Sequence, residues 1–230
     1  LAMVTLLAAI GSARAHEFWI MPTSFSPAPL SQVGFELRVG TGWPGESVPR
    51  NDDHIVRFTL IDPRGEHPID GDPVSEPAGY AAATALGPAI AIYRSNTAAI
   101  TMPAEKFESY LKLEGLERVS RLRADRGQSA ADGKEIYSRC AKALLQVGGQ
   151  KAPPGGFDRI TGLTLELVPQ TDPATLTIDG KFSVTLRYKG EPLAGALVRA
   201  QAQDRPNDKI ELRTDAQGRV TFPLHYSGVW

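Results

Sequence analysis

The sequence predicts a mainly β protein: two β-sandwich units, Ig-like or transthyretin-like, with a helical insertion between them. Three observations lead there. Apolar and polar residues alternate with period two over much of the chain, as at Val33, Phe35, Leu37 and Val39. Clusters of Gly, Pro and Asp punctuate these short runs, the spacing expected of a sandwich. The alternation lapses between residues 103 and 149, where a longer spacing takes over.

Residues 1–15 read as a signal peptide. Leu1 to Gly11 is almost wholly apolar, and Ala13-Arg14-Ala15 is the A-x-A pattern that a signal peptidase reads. The run is shorter than the about 20 residues that span a bilayer. No second long apolar run follows, so no membrane insertion is expected after cleavage. Neither an initiator Met nor a basic segment precedes the apolar run, so the signal reads as clipped. The expected location is the periplasm or the extracellular medium.

Residues 16–102 read as an N-terminal β-rich domain. After Val33 to Val39, the set Val56, Phe58 and Leu60 repeats the alternation, and Asp62-Pro63-Arg64-Gly65 is a turn. Ala89 to Arg94 is a short apolar run, and Ile100 to Met102 closes the section. Residues 103–149 read as helical. Pro103 suits a first helical turn, and Phe107, Tyr110 and Leu111 share a face. Gly115 interrupts this helix before Leu116, Val119 and Leu122 continue it. Ile136, Cys140, Leu144 and Val147 predict another helix that stops at Gly148-Gly149.

Residues 150–161, rich in Pro and Gly, read as a linker. Residues 162–230 read as a C-terminal sandwich. Its strands are expected at Leu163 to Leu167, Phe182 to Tyr188, Leu197 to Ala202, Ile210 to Leu212 and Val220 to Leu224. Lys189-Gly190-Glu191-Pro192 and Asp215-Ala216-Gln217-Gly218 are turns. The chain stops at Trp230 where a further strand is expected, so this end reads as clipped too.

Charge excludes two classes of partner. The net charge is −1, and removing residues 1–15 takes away only Arg14, leaving 24 Lys and Arg against 26 Asp and Glu, or −2. Such a chain lacks the basic footprint that nucleic acid or an anionic membrane requires. Cys140 is the one cysteine, so no intrachain disulfide forms.

Cleavage after Ala15 makes His16 the first residue. A free α-amine and an imidazole then sit on one residue, and both are nitrogen ligands for Ni, Co, Cu or Zn. The α-amine has a pKa near 8, so a metal can displace its proton at neutral pH. Glu17 offers a carboxylate oxygen. His225 follows Leu224 on the opposite face from Val220 and Phe222, so it is expected at the surface and is the second metal-ligand candidate. His54, after Asn51-Asp52-Asp53, and His67, beside Pro68, are weaker candidates. No two histidines have local metal-site spacing, so the fold must assemble any site.

Cys140 reads as a buried thiol, because a catalytic thiol needs a nearby base. Trp19, Trp43 and Trp230 read as core or interface residues. Phosphate loops, G-x-S-x-G, H-E-x-x-H and C-x-x-C are absent from the sequence.

Longer motifs carry a family resemblance. The mature start His16-Glu17-Phe18-Trp19-Ile20-Met21-Pro22 resembles the opening of NikM-like periplasmic proteins. Similar to them also are Pro103 to Phe107 with Tyr110-Leu111, Tyr137 to Leu144, Leu165 to Pro169 with Thr171-Asp172-Pro173, and Gly195 to Val198 followed by Thr214-Asp215, Gly218 and Gly228 to Trp230. That family is catalogued as a domain of unknown function and associated with nickel and cobalt uptake. The resemblance implies a divalent transition metal as ligand, nickel or cobalt with copper and zinc as alternatives, and a membrane metal transporter as partner. From Leu193 to Trp230 the chain also resembles transthyretin-like and carboxypeptidase-regulatory-like modules, which implies a sandwich fold there.

Three functions compete. The first is a non-enzymatic metal-binding accessory protein for nickel or cobalt uptake. The second is a sandwich interaction module without metal. The third is an oxidative enzyme whose N-terminal His holds copper, with His225 or a further histidine completing the site.

Overall fold

The computed structural model describes residues 17–149 and 155–230. The expected signal peptide, His16 and residues 150–154 of the expected linker lie outside them. The chain is mainly β, and two sandwiches carry the architecture.

The first sandwich has two antiparallel four-stranded sheets. In one, β2 (Gln32–Gly40) is central. β1 (Glu17–Pro22) lies along one side of it, and β3 (Glu46–Val48) and β6 (Gly79–Ala82) share the other. In the other sheet the order is β10 (Cys140–Val147), β7 (Gly87–Ser95), β4 (Ile55–Asp62), β5 (Gly65–Pro68). Phe35 and Leu37 from the first sheet meet Phe58, Leu60, Ala91 and Leu145 from the second in one core. The alternating apolar residues become this core because period two puts them all on one face.

Strand β7 explains why Ala89 to Tyr93 is apolar without alternation. Ala89, Ala91 and Tyr93 face the core, while Ile90 and Ile92 face outward. The outward residues are nonetheless buried at 1% and 0% exposure, because Leu163 from the second sandwich packs over them with Ile61. A central strand covered on both faces reads as a continuous apolar run.

The helix expected over 136–147 is not there. Residues Gly133–Tyr137 form strand β9, and β10 follows, paired with β7 from Cys140 opposite Arg94 to Val147 opposite Gly87. The i, i+4 series Ile136, Cys140, Leu144 is also an even-numbered series, so helix and strand periods coincide on it. The residues that decide are Ala141, Ala143, Leu145 and Val147, which alternate into the core. Cys140 is partly buried with Leu144 on the outer face of this sheet, under Leu163.

The helical insertion is therefore shorter than 103–149 and sits inside the first sandwich. Between β7 and β10, β8 (Ala98–Met102) pairs with β9, and helices α1 (Ala104–Leu113) and α2 (Glu117–Asp125) lie between them in sequence. Met102, Phe107 and Leu111 form its small core. Gly115 ends α1 at φ +68°, where a Cβ would lie 2.8 Å from Leu197 of the second sandwich. Glycine meets both demands.

The second sandwich faces a four-stranded sheet with a hairpin. β12 (Gly180–Tyr188) is central, with β11 (Leu165–Pro169) on one side and β13 (Glu191–Pro192) and β16 (Arg219–Leu224) on the other. β14 (Leu197–Gln201) and β15 (Lys209–Arg213) form the hairpin. Val184, Leu186, Val198, Val220 and Phe222 fill the space between, and Trp230 packs against them. Among the described residues no helix is long and apolar enough to cross a membrane.

Buried polar contacts join the sandwiches. Lys142 of β10 donates to Glu166 of β11 at 2.8 Å, and to the carbonyls of Arg159 and Leu167. Glu166, only 2% exposed, also accepts from the Thr161 amide and hydroxyl and the Gly162 amide. Burial opposes the charge on Glu166, but Lys142 and the Thr161 donors outweigh it and lower its pKa. Burial pulls the Lys142 ammonium pKa down against the pull of Glu166. Four donors on one carboxylate make the ionised pair the dominant state.

Candidate metal site at the N-terminal junction

Strand β1 opens at Glu17, opposite Gly40 of β2. Trp19 holds this end of the sheet in shape. Its ring stands edge-to-face on Trp43, with centroids 5.2 Å apart. It also lies over Gly45, where a Cβ would come within 2.4 Å of the indole. Gly45 has φ +65° as well, so glycine is required twice over.

The second sandwich meets this end through its hairpin. Lys209 donates to the Thr41 carbonyl at 2.8 Å, and the Gln201 side chain lies beside Gly42. Arg199 is the hub. Its guanidinium lies 2.7 Å from Glu211, 3.1 Å from Glu114 and 3.8 Å from Glu17, and it donates to the Leu113 carbonyl. Burial works against the Arg199 charge, but its bond to Glu211 and the charge of Glu114 outweigh burial and raise its pKa. The most loosely held of the three carboxylates is Glu17, whose side chain is 40% exposed.

The predicted ligands fall in separate places. His16 lies outside the described residues, one peptide unit before Glu17. His225 is exposed, as expected, and its Nδ1 lies 3.0 Å from Asp179 Oδ1. It also stands edge-on to Tyr226. Among the described residues, Asp179 is its one acidic partner and no other histidine joins it. His54 lies in an exposed 3-10 turn after the Asn51 cap. Among the described residues, no group of three His, Cys, Asp or Glu side chains is placed to hold a metal ion.

His67 has a partner that the sequence reading passed over. Its Nε2 lies 3.3 Å from Asp62 Oδ1, and the Asp62 side chain is wholly buried. Asp62 also accepts from the Arg64 amide at 2.8 Å and from the Thr84 hydroxyl. Burial would raise the Asp62 pKa, but hydrogen bonds from Thr84, Arg64 and His67 lower it below the usual value. An ionised carboxylate only accepts, so Nε2 carries the proton and Nδ1 keeps its lone pair when the ring is neutral. His67 borders an open groove of about 660 Å³ with Asp70, Asp72 and Tyr80. The signal was present: a turn joining Asp62 to Gly65 places position 67 diagonally across from Asp62.

No curated protein matches the chain. The family model described as a domain of unknown function (DUF4198) matches residues 13–230, which takes in both sandwiches, the insertion and the junction around Glu17, and the chain belongs to that family.

Proposed function

We propose that this is an exported, non-enzymatic accessory protein that captures a nickel or cobalt ion and passes it to a membrane transporter. The ion is cargo. His16, made N-terminal by cleavage after Ala15, supplies its α-amine and imidazole, and Glu17 supplies a carboxylate oxygen. The observation that carries this reading is the placing of Glu17. It is the first residue of β1, it is exposed, and among the described residues its side chain is held only by a 3.8 Å ion pair to Arg199. Covalent geometry keeps the Cα of residue 16 about 3.8 Å from that of Glu17. A paired strand behind an exposed, loosely held carboxylate is suited to capture with ready release.

The resemblance of the mature start to the NikM-like proteins supports nickel or cobalt as the ion. Export is supported by the A-x-A join, and the near-neutral charge fits no nucleic-acid partner. The second candidate ligand, His225, is bound to Asp179 and forms a separate, two-membered cluster. One observation favours docking without metal: edge strand β11 exposes Leu165 at 46% and Leu167 at 41%.

Metal stoichiometry separates the two. The protein beginning at His16, dialysed against micromolar nickel or cobalt, is expected to retain one ion per chain. Retention of no nickel, cobalt, copper or zinc would leave the docking reading in its place.

A further inference from the structure

A groove of about 530 Å³ lies on the outer face of the second sandwich, on the side of β12 away from its core. Val184 and Leu186 face the core, so Thr185 and Arg187 face the groove. Arg219 of β16 stands opposite Thr185, and Arg187 is one step diagonal from it. Gln170, Gln217 and the carboxylate of Asp158 complete the polar lining. Two guanidinium groups therefore share a groove with one carboxylate.

Among the described residues, neither arginine has a carboxylate of its own. Arg187 is directly opposite Glu166 in the β11–β12 register, where an ion pair is the ordinary outcome. Glu166 is instead committed to Lys142, Thr161 and Gly162. Among the described residues, Arg187 is left with one side-chain bond, to the Gly190 carbonyl, and its Nε is buried with no acceptor. A buried donor without a partner is costly, and charged groups more so. Arg219 is exposed, and its guanidinium has no ion pair among the described residues. The nearby Asp215 Oδ1 is taken by the backbone amides of Gln217 and Arg219.

We propose that this groove binds a small organic carboxylate, held by Arg187 and Arg219 together. The planar guanidinium matches a carboxylate with paired hydrogen bonds, and the volume is that of a small-molecule site. Asp158 accepts from a hydroxyl on the same ligand and disfavours a second charge at its end of the groove. A hydroxycarboxylate is therefore preferred over a dicarboxylate without a hydroxyl. None of the groove's lining residues is a proposed metal ligand, so its fate does not depend on the metal reading.

Calorimetric titration of the protein beginning at His16 with lactate, succinate and inorganic phosphate tests this. Lactate is expected to bind in the millimolar range or tighter, ahead of succinate and phosphate. Arg219→Gln, at an exposed position, is expected to keep the fold and weaken lactate at least about tenfold, the effect of losing a hydrogen bond to a charged group. Arg187→Gln, checked for folding by circular dichroism, should do the same. The proposal is overturned if lactate does not bind at about 10 mM, if phosphate binds more tightly than lactate, or if both folded variants bind lactate as the parent does.

Discussion

Arg199 lies 3.8 Å from Glu17, so the start of the first sandwich meets the second at a guanidinium that Glu211 and Glu114 already hold. The same side chain bonds the Leu113 carbonyl at the end of α1. One residue of β14 thus ties together the N-terminal strand, the helical insertion and its own hairpin.

Arg199→Ala is expected to lower stability by about 1–3 kcal/mol, because it strands acceptors that are partly buried. Its side chain is only 17% exposed, so solvent screens the cluster less than it screens a surface pair. Urea unfolding of parent and variant measures the difference. An unchanged midpoint would mean that the cluster is a solvated ion pair and does not fix the junction.

Lys142 plays the equivalent part deeper in the molecule. Lys142→Met removes the cation from a carboxylate that is 2% exposed and is expected to cost about 3 kcal/mol. The loss should be less than that of a fully orphaned charge, since Thr161 and Gly162 still donate to Glu166. Differential scanning calorimetry would show a clear fall in Tm, whereas a Tm within about a degree of the parent would rule out a stabilising pair.

Asp62 should make stability fall in acid. Its pKa is lower in the folded chain than its ordinary 3.8. The unfolded state therefore binds the proton more readily, so Asp62 contributes stability above about pH 4 and loses it as pH falls through the lower folded value. Asp62→Asn is expected to be less stable at neutral pH by about 1–3 kcal/mol and to show a shallower loss between about pH 5 and 3. Urea midpoints across that range check this, and parallel acid limbs for the two proteins would contradict it.

Local pattern revealed much of the fold, and three features show where it stopped. The turns at Asp62 to Gly65 and at Asp215 to Gly218 were readable because Gly and Asp supply the backbone freedom and local hydrogen bonds a turn needs. Strand β10 was not, because Cys140 and Leu144 satisfy both periods and the four alternating core residues include two alanines, which favour helix. The burial of Ile90 and Ile92 on the outer face of β7 depends on Leu163, over seventy positions away, and no local pattern reveals that.

The candidate sites divide in the same way. The surface position of His225 followed from strand alternation, but its Asp179 partner is 46 positions distant and came from the fold. The same is true of Arg187, whose missing partner is visible only once Glu166 is seen to serve Lys142. The chelating role proposed for His16 rests on the A-x-A join, which lies outside the described residues. Its neighbour Glu17 gained a context, beside Arg199, that no sequence spacing contains.

The central claim is that the free α-amine of His16 is a metal ligand. The direct measurement is nickel and cobalt affinity, by competition with a chromogenic chelator, for the protein beginning at His16 and for one with a single Ala placed before it. The extension turns the ligand amine into an amide and leaves the imidazole and Glu17 in place. A loss of affinity of at least about tenfold is expected, the scale of one nitrogen ligand removed from a small site. Equal affinities for the two proteins would contradict it.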